Sequence, residues 1–312
     1  MFGRTNFDPL GQSVIIAGGS KGLGRELALQ LADRGANVAI LGRTPKALEE
    51  TLQDLQQKIK GPDQKHSSTV LDLTDAAQVT NYIDSLPEPP SILFCVAGGT
   101  ASEIGFFADI AAEDIRSCME RNYFAAAFIA HAVLKQWLAR PPPFKQRRHI
   151  VFTASTAAFV GLPGYTAYTP TKTATRALAD TLRQEVLLYR SQQDIRVHCS
   201  FPGTIYTDAF YEEQTRKPDL LKELEGSNKE NSGLTAARAA ELTIEGLKQG
   251  RFFITMDMET ELLLNNMRGP SPRYWSVWDW ILGLLASLVW PVFRIMHDRK
   301  TSQYRREQRK NE

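Results

Sequence analysis

The chain has 312 residues, of which 43% are hydrophobic and 23% charged, and its formal net charge is +2. Such a composition excludes disordered, collagen-like and disulfide-scaffold classes, and the length permits a single α/β domain that needs no covalent staples. Near-neutrality leaves no footprint for nucleic acid, but the C-terminus is uneven: from Arg294 onward seven basic and three acidic residues give +4, leaving −2 for the rest.

In chain order, the stretch from Met1 to Asn6 lacks the apolar core of a secretory signal, so the main body is expected in the cytosol. Short apolar runs at 14–17, 37–41, 68–71, 92–96, 149–153, 196–201 and 252–255 alternate with helix-period segments such as 22–34, 46–58 and 114–138. Thr44 and Pro45 fit an N-cap and a first-turn proline for the second helix. That alternation predicts an α/β fold, a doubly wound (Rossmann) seven-stranded parallel sheet covered by helices on both faces. Two stretches interrupt it. Residues 140–148, with three consecutive prolines and four basic residues, read as a surface loop, and 212–232, charged and glycine-punctuated, as the mobile part of a lid over 204–235. Cys95, Cys118 and Cys199 form an odd set without metal-ligand spacing, so free thiols and no metal site are expected. The organisation is then a Rossmann domain over 1–269 and a hydrophobic extension with a basic tail over 270–312.

Gly18-Gly19-Ser20-Lys21-Gly22-Leu23-Gly24 lies between the first strand and first helix, the context of a phosphate-binding loop. Glycines let backbone approach a pyrophosphate, and the unpaired N–H groups at the helix start attract negative charge. After the second strand comes Leu41-Gly42-Arg43-Thr44, with no carboxylate to accept from a ribose 2′-hydroxyl. Arg43 and Lys21 could instead neutralise a 2′-phosphate, which favours NADPH over NADH. Asp72 is placed either to accept from an adenine amino group or to cap the helix before Ala76.

Tyr168 and Lys172 stand one turn apart on a helical pattern running to about Leu188, and Ser155 ends the fifth strand thirteen residues before the tyrosine. A nearby ammonium favours the phenolate and draws the phenol toward a useful pKa, so Tyr168 could protonate a developing alkoxide while Ser155 holds the same oxygen.

In the order and spacing of these motifs the chain resembles the short-chain dehydrogenase/reductases over roughly residues 10 to 256. The resemblance is carried by Gly18, Gly22 and Gly24, by Asp72, by Val96-Ala97-Gly98, by Asn122, by Ser155, Tyr168 and Lys172, and by Pro202-Gly203. It implies catalysis by Ser155, Tyr168 and Lys172, with Asn122 completing a proton relay through water and Lys172 also binding the nicotinamide ribose. It also implies cofactor contacts from Gly18, Ser20, Lys21, Gly22, Leu23, Gly24, Arg43, Asp72, Leu73, Ala97, Gly98, Tyr168, Lys172, Pro202, Gly203 and Thr204, with Thr207 a further neighbour. Ala17 and Val96 replace the Thr and Asn usual in the family, removing side-chain bonds that tie these loops. Homo-oligomers through the helices of Asp114 and Thr171 are expected on the same ground.

Residues 275–296 enclose an apolar core at 281–289 and four tryptophans, Trp275, Trp278, Trp280 and Trp290, a membrane-interface pattern. Ser276, Asp279, Gly283, Ser287 and Arg294 trace one narrow polar stripe, and Pro291 is expected to kink the helix. A helix lying in, or dipping into, the cytosolic leaflet is expected, aided by the basic tail; a helix docked on the domain is the alternative. Lys310, preceded by Arg309, resembles an endoplasmic-reticulum retrieval signal. Together these features imply reduction of a lipid ketone by NADPH at the endoplasmic-reticulum membrane, with the catalytic domain facing the cytosol. The glycine loop, the run from Gly161 to Tyr168, the Phe201-Pro202-Gly203 turn and the hydrophobic C-terminus look like the branch acting on 3-keto sphingoid bases. The alternatives are another lipid ketone (steroid, retinoid or 3-oxoacyl chain) and a catalytically silent NADPH-binding scaffold.

Overall fold

The computed structural model describes residues 7–141, 147–226 and 233–311, with side chains as far as Tyr304. The N-terminal stretch, the middle of the proline-rich loop (142–146), the glycine-punctuated end of the lid (227–232) and the side chains of Arg305, Arg306, Arg309 and Lys310 lie outside the described residues.

The strands are β1 (Ser13–Ala17), β2 (Asn37–Gly42), β3 (His66–Val70), β4 (Ile92–Cys95), β5 (Arg147–Thr153), β6 (Asp194–Phe201), β7 (Ile205–Tyr206), β8 (Leu234–Thr235) and β9 (Phe253–Thr255). Seven of them form one parallel sheet in the order β3-β2-β1-β4-β5-β6-β9, while β7 and β8 pair separately. Successive residues point to opposite faces of a strand, and the two cores follow from that. In β1, Ile15 and Ala17 join one apolar cluster with Leu93, Ile129, Phe152 and Phe201, whereas Val14 and Ile16 join a second with Leu27, Val38, Phe94 and Ile244.

The helices are α1 (Gly22–Ala32), α2 (Pro45–Gln56), α3 (Ala76–Ser85), α4 (Ala112–Met119), α5 (Ala125–Ala139), α6 (Tyr168–Glu185), α7 (Asp208–Arg216), α8 (Asp219–Glu225), α9 (Ala236–Lys248), α10 (Met258–Met267) and α11 (Ser276–Asn311). Between α4 and α5 the backbone makes a π-helical turn over Glu120–Phe124, so the helix expected at 114–138 runs through continuously with one widened turn. Thr44 takes the N-cap position of α2 without a side-chain bond, and Pro45 follows it. The cap of α3 is Asp75, which accepts from Ala77 and Gln78 N–H, so Asp72 does not cap that helix. The proline-loop expectation fails at its end: Arg147 and Arg148 begin β5, and Arg148 is buried, donating to Gln193 Oε1 (2.8 Å) with its guanidinium over the Trp137 ring. Its Nη1 and Nη2 find partners inside the protein while Nε has none, a placement that a count of basic residues cannot show.

Helix α11 packs on the domain through the polar stripe. Asp279 is buried and paired with buried Arg268 (3.1 Å), Leu282 and Ala286 are buried, and Ser287 Oγ donates to Asn266 Oδ1. A Cβ on Gly283 would lie 3.3 Å from the Asn265 carbonyl of α10, so the missing side chain permits this approach. Farther along, Trp290 packs on the core, Lys300 pairs with Glu223 of α8 (2.6 Å), and Tyr304 meets Phe106. The opposite face is bare: Trp278, Trp280, Leu284, Leu288, Val292 and Ile295 are all exposed. Among the described residues it is the one helix long and apolar enough to cross a membrane, over Ser276–Tyr304, its most apolar 18-residue window having a mean hydropathy of 1.5. The helix continues through Pro291.

Candidate active site

The C-terminal ends of β1 to β6 open into one cleft of about 620 Å³. It is lined by Gly18, Ser20, Lys21, Gly22, Leu23, Gly24, Arg43, Asp72, Leu73, Ala97, Gly98, Ser155, Tyr168, Lys172, Pro202, Gly203, Thr204 and Thr207. Asn122 stands behind this wall and is buried. In a doubly wound sheet the crevice beyond the strand ends, where strand order reverses, is the general ligand position.

The glycine loop is shaped for a group that needs backbone contact. Gly18 has φ 94°, and a Cβ there would meet Ala97 N at 2.5 Å; at Gly24 a Cβ would lie 2.0 Å from the Gly18 carbonyl. Helix α1 starts after Lys21 with no side-chain cap and no acidic residue in its first turn, so its N–H groups and positive dipole end face the cleft uncompensated. Arg43 and Lys21 are exposed at this end. These features fit the pyrophosphate and adjoining phosphate of a dinucleotide. The side-chain ties absent at Ala17 and Val96 are supplied by the backbone: Gly18 N–H donates to Leu41 O (2.8 Å), and Val96 and Ala97 N–H donate to Ala17 O (2.9 and 2.7 Å). Asp72 Oδ1 accepts from Thr74 N–H and Oγ1, which fixes the carboxylate at the cleft wall.

Ser155 sits two residues past the end of β5 as the cap of a 3₁₀ turn over Thr156–Ala158, where its Oγ accepts from Ala157 N–H (3.2 Å). Tyr168 opens α6, and its hydroxyl lies near enough to that of Ser155 for the serine to lower its pKa. Lys172, one turn on and buried, donates to the Thr153 carbonyl (3.2 Å) and lies 5.5 Å from the Tyr168 ring centre. Burial, then the Glu213 carboxylate, push the Tyr168 phenol above its ordinary range, while the Ser155 hydroxyl opposes them. The phenolate expected beside Lys172 is therefore not favoured in the free site: the desolvated phenol stays protonated, a proton donor in waiting. Burial also draws Lys172 down to about 8, which leaves it charged at neutral pH.

The π-helical turn aims Asn122 inward. Its Nδ2 donates to Gly99 O (2.9 Å) and Cys118 O (3.0 Å), and its Oδ1 accepts from Gly99 N–H (2.8 Å). Gly98, at φ 144°, separates Asn122 from Lys172; a Cβ there would lie 2.5 Å from Asn122 Oδ1 and 3.5 Å from Lys172 Nζ. The three cysteines are free and buried, and no group of metal-ligating side chains occurs among the described residues.

Among the lining residues not singled out from the sequence are Tyr165, Glu213, Lys217 and Glu225. Tyr165 packs on Tyr168 (ring centres 5.4 Å apart) and donates to Glu213 Oε1 (2.6 Å) and Glu225 Oε1 (2.9 Å). Lys217, its side chain 1% exposed, pairs with both glutamates. The i,i+4 spacing of Glu213 and Lys217 was a legible signal; Glu225 was not, because its pairing crosses the break between α7 and α8. Of the large apolar lid residues, Phe210 and Leu224 line the cleft, Leu220 and Leu221 are buried in packing, and Tyr211 is exposed. Trp290 and His297 of α11 also line the cleft.

A family profile described as short chain dehydrogenase matches residues 12–218. The chain is 38% identical to a 3-ketodihydrosphingosine reductase of Aspergillus fumigatus over 93% of its own length and 84% of the relative's. It is 35% identical to one of Neurospora crassa, covering 93% of this chain and 82% of that one. Among solved structures, a short-chain dehydrogenase from Sphingobium yanoikuyae in complex with NADPH superimposes with a TM-score of 0.68 at 20% identity, covering 83% of this chain and 92% of the other; that likeness shows the fold.

Proposed function

The chain belongs to the short-chain dehydrogenase family, and from that premise we propose that it reduces the 3-keto group of 3-ketodihydrosphingosine to the alcohol of dihydrosphingosine with NADPH. The observation that carries the reading is the meeting of Ser155, Tyr168 and Lys172 with the glycine cradle in one cleft, in a chain 38% identical to a reductase of that name.

The bound nicotinamide supplies the hydride. Ser155 and Tyr168, both lining the cleft, hold the ketone oxygen between their hydroxyls. Tyr168 gives its proton to that oxygen as charge develops, and the Lys172 ammonium stabilises the phenolate left behind. Asn122 holds the Gly98-Gly99 wall and positions the water through which Lys172 exchanges its proton across the space that Gly98 leaves open. Arg43 and Lys21 take the 2′-phosphate, which is the basis for NADPH.

Alkyl-chain entry follows from α11. A helix docked along one side cannot readily cross a bilayer, but its bare apolar face can sit in a leaflet, with Trp290 and His297 at the cleft beside it. The same reading places the domain on the cytosolic side of the endoplasmic reticulum, as one member of a homo-oligomer formed through α4, α5 and α6, with 1–269 as catalytic domain and 270–312 as its membrane-facing part.

The test is NADPH oxidation by purified chain in detergent with 3-ketodihydrosphingosine, a steroid ketone and a 3-oxoacyl thioester. Selective turnover of the first is expected, with Tyr168→Phe lowering kcat by about 10²–10⁴ while NADPH still binds. Activity only on another ketone discards the substrate; silence on all three discards the reductase reading in favour of a scaffold.

A further inference from the structure

The lid carries an ionic network that the chemistry above does not use. Glu213 and Glu225 flank the single ammonium of Lys217, so the group holds one negative charge in excess. Lys217 is 1% exposed on its side chain, whereas Glu213 keeps 14% and Glu225 21%. All three line the cleft. Thr100 Oγ1 donates to Glu213 Oε2 (2.6 Å), which ties the lid to the loop after β4. The Tyr165 hydroxyl bridges both carboxylates, and its ring lies 5.4 Å from that of Tyr168, so the anionic wall is one side chain away from the hydroxyl that meets the ketone.

An unbalanced negative charge beside a low-dielectric cleft is costly until a cation joins it. Of the other positive side chains lining the cleft, Lys21 and Arg43 stand at the glycine loop, Arg121 is paired with Glu103 (2.6 Å), and Lys172 donates to Thr153 O. The ketone of the proposed substrate has a protonatable amine on the adjoining carbon and a hydroxyl on the next. We propose that Glu213 and Glu225 form the head-group subsite, receiving the substrate's ammonium by charge-assisted hydrogen bonds while Lys217 holds the two carboxylates in place. This inference rests on the reductase reading of the same cleft. It makes these glutamates specificity residues: they select 2-amino-3-ketones over long-chain ketones of equal length that lack the amine.

The experiment compares kcat/KM of the full-length protein in detergent for 3-ketodihydrosphingosine and for its analogue without the 2-amino group. Wild type is expected to favour the amine by at least about tenfold, the least discrimination that one charge-assisted hydrogen bond gives. Glu213→Gln and Glu225→Gln should lower kcat/KM for the amino ketone, mainly through KM, well beyond any change in the deamino ketone, which registers only the loss of a carboxylate near Tyr168. Wild-type indifference to the amine overturns the inference without any variant having to fold, as does an equal loss on both ketones in the variants. Reduction of neither ketone by wild type refutes the reductase reading instead, and the inference falls with it.

Discussion

At the scale of single residues, cofactor choice turns on what stands after β2. Gly42 ends the strand, and Arg43 follows exposed beside the glycine loop, where the dinucleotide folds that use NADH place a carboxylate. A bidentate guanidinium on a phosphate contributes roughly 1.5–3 kcal/mol, because a charge-assisted bond exceeds a neutral one. Arg43→Ala is therefore expected to weaken NADPH binding by about ten- to a hundredfold and to leave NADH nearly unchanged, measured by fluorescence titration of both. Parallel losses would remove the 2′-phosphate role from Arg43. The glycines, Ser155, Tyr168 and Lys172 were legible because their motifs are local, each fixed by one turn or one helix repeat. The Glu213–Lys217–Glu225 network was not, since it depends on how two short helices fold back over a loop more than a hundred residues earlier at Thr100. Nor was the protonated state of Tyr168: proximity to a lysine was legible in the spacing, but burial, which overrides it, belongs to the assembled cleft.

Among the elements, the sheet followed from its apolar runs, and the boundary errors gathered at polar strand starts. His66 and Ser67 begin β3, and Arg147 and Asp194 begin β5 and β6, where an Arg147–Asp194 pair (2.8 Å) stands in place of apolar residues. In α11 the polar stripe was visible, but a helical wheel does not say whether such a stripe faces water, lipid headgroups or protein. The partner decides, and here it is Arg268: its side chain is 4% exposed and that of Asp279 2%. Asp279 also accepts from Tyr274 N–H (3.0 Å), so it holds the turn that launches the helix. Removing one member of a buried pair leaves an uncompensated charge, at a cost of up to about 3–5 kcal/mol, and here only the longer contact of Arg268 with Glu261 (3.8 Å) would remain. Asp279→Ala should thus lower Tm, at about 2–4 °C for each kcal/mol, in thermal unfolding followed by circular dichroism. Pairing it with Arg268→Met should restore much of the loss; if the double variant is as unstable as the single one, the ion pair is not what Asp279 supplies.

For the whole molecule, the same helix joins the cleft to whatever covers its outer face. Its apolar row, with tryptophans at Trp278 and Trp280 and basic Arg294, Arg299 and Lys300 beyond, matches a helix lying at a lipid interface better than one threaded through it, because the inner face is committed to α10, α8 and the cleft. Two forces should then be separable. Charge attraction weakens as salt shrinks the screening length from about 10 Å at 0.1 M to about 3 Å at 1 M, whereas apolar insertion does not. The full chain is expected to float with phosphatidylserine-containing vesicles, to lose only part of that binding in 1 M salt, and to lose most of it when Trp280 and Leu284 are both changed to Asp. Truncation after Gly269 should abolish flotation and also reduce turnover of a soluble ketone, since it removes the Trp290 and His297 side of the cleft and leaves Arg268 without Asp279. Undiminished turnover by a folded truncated chain would make α11 a detachable anchor. A full chain that ignores vesicles but runs as a dimer in light scattering would assign the bare face to a second copy.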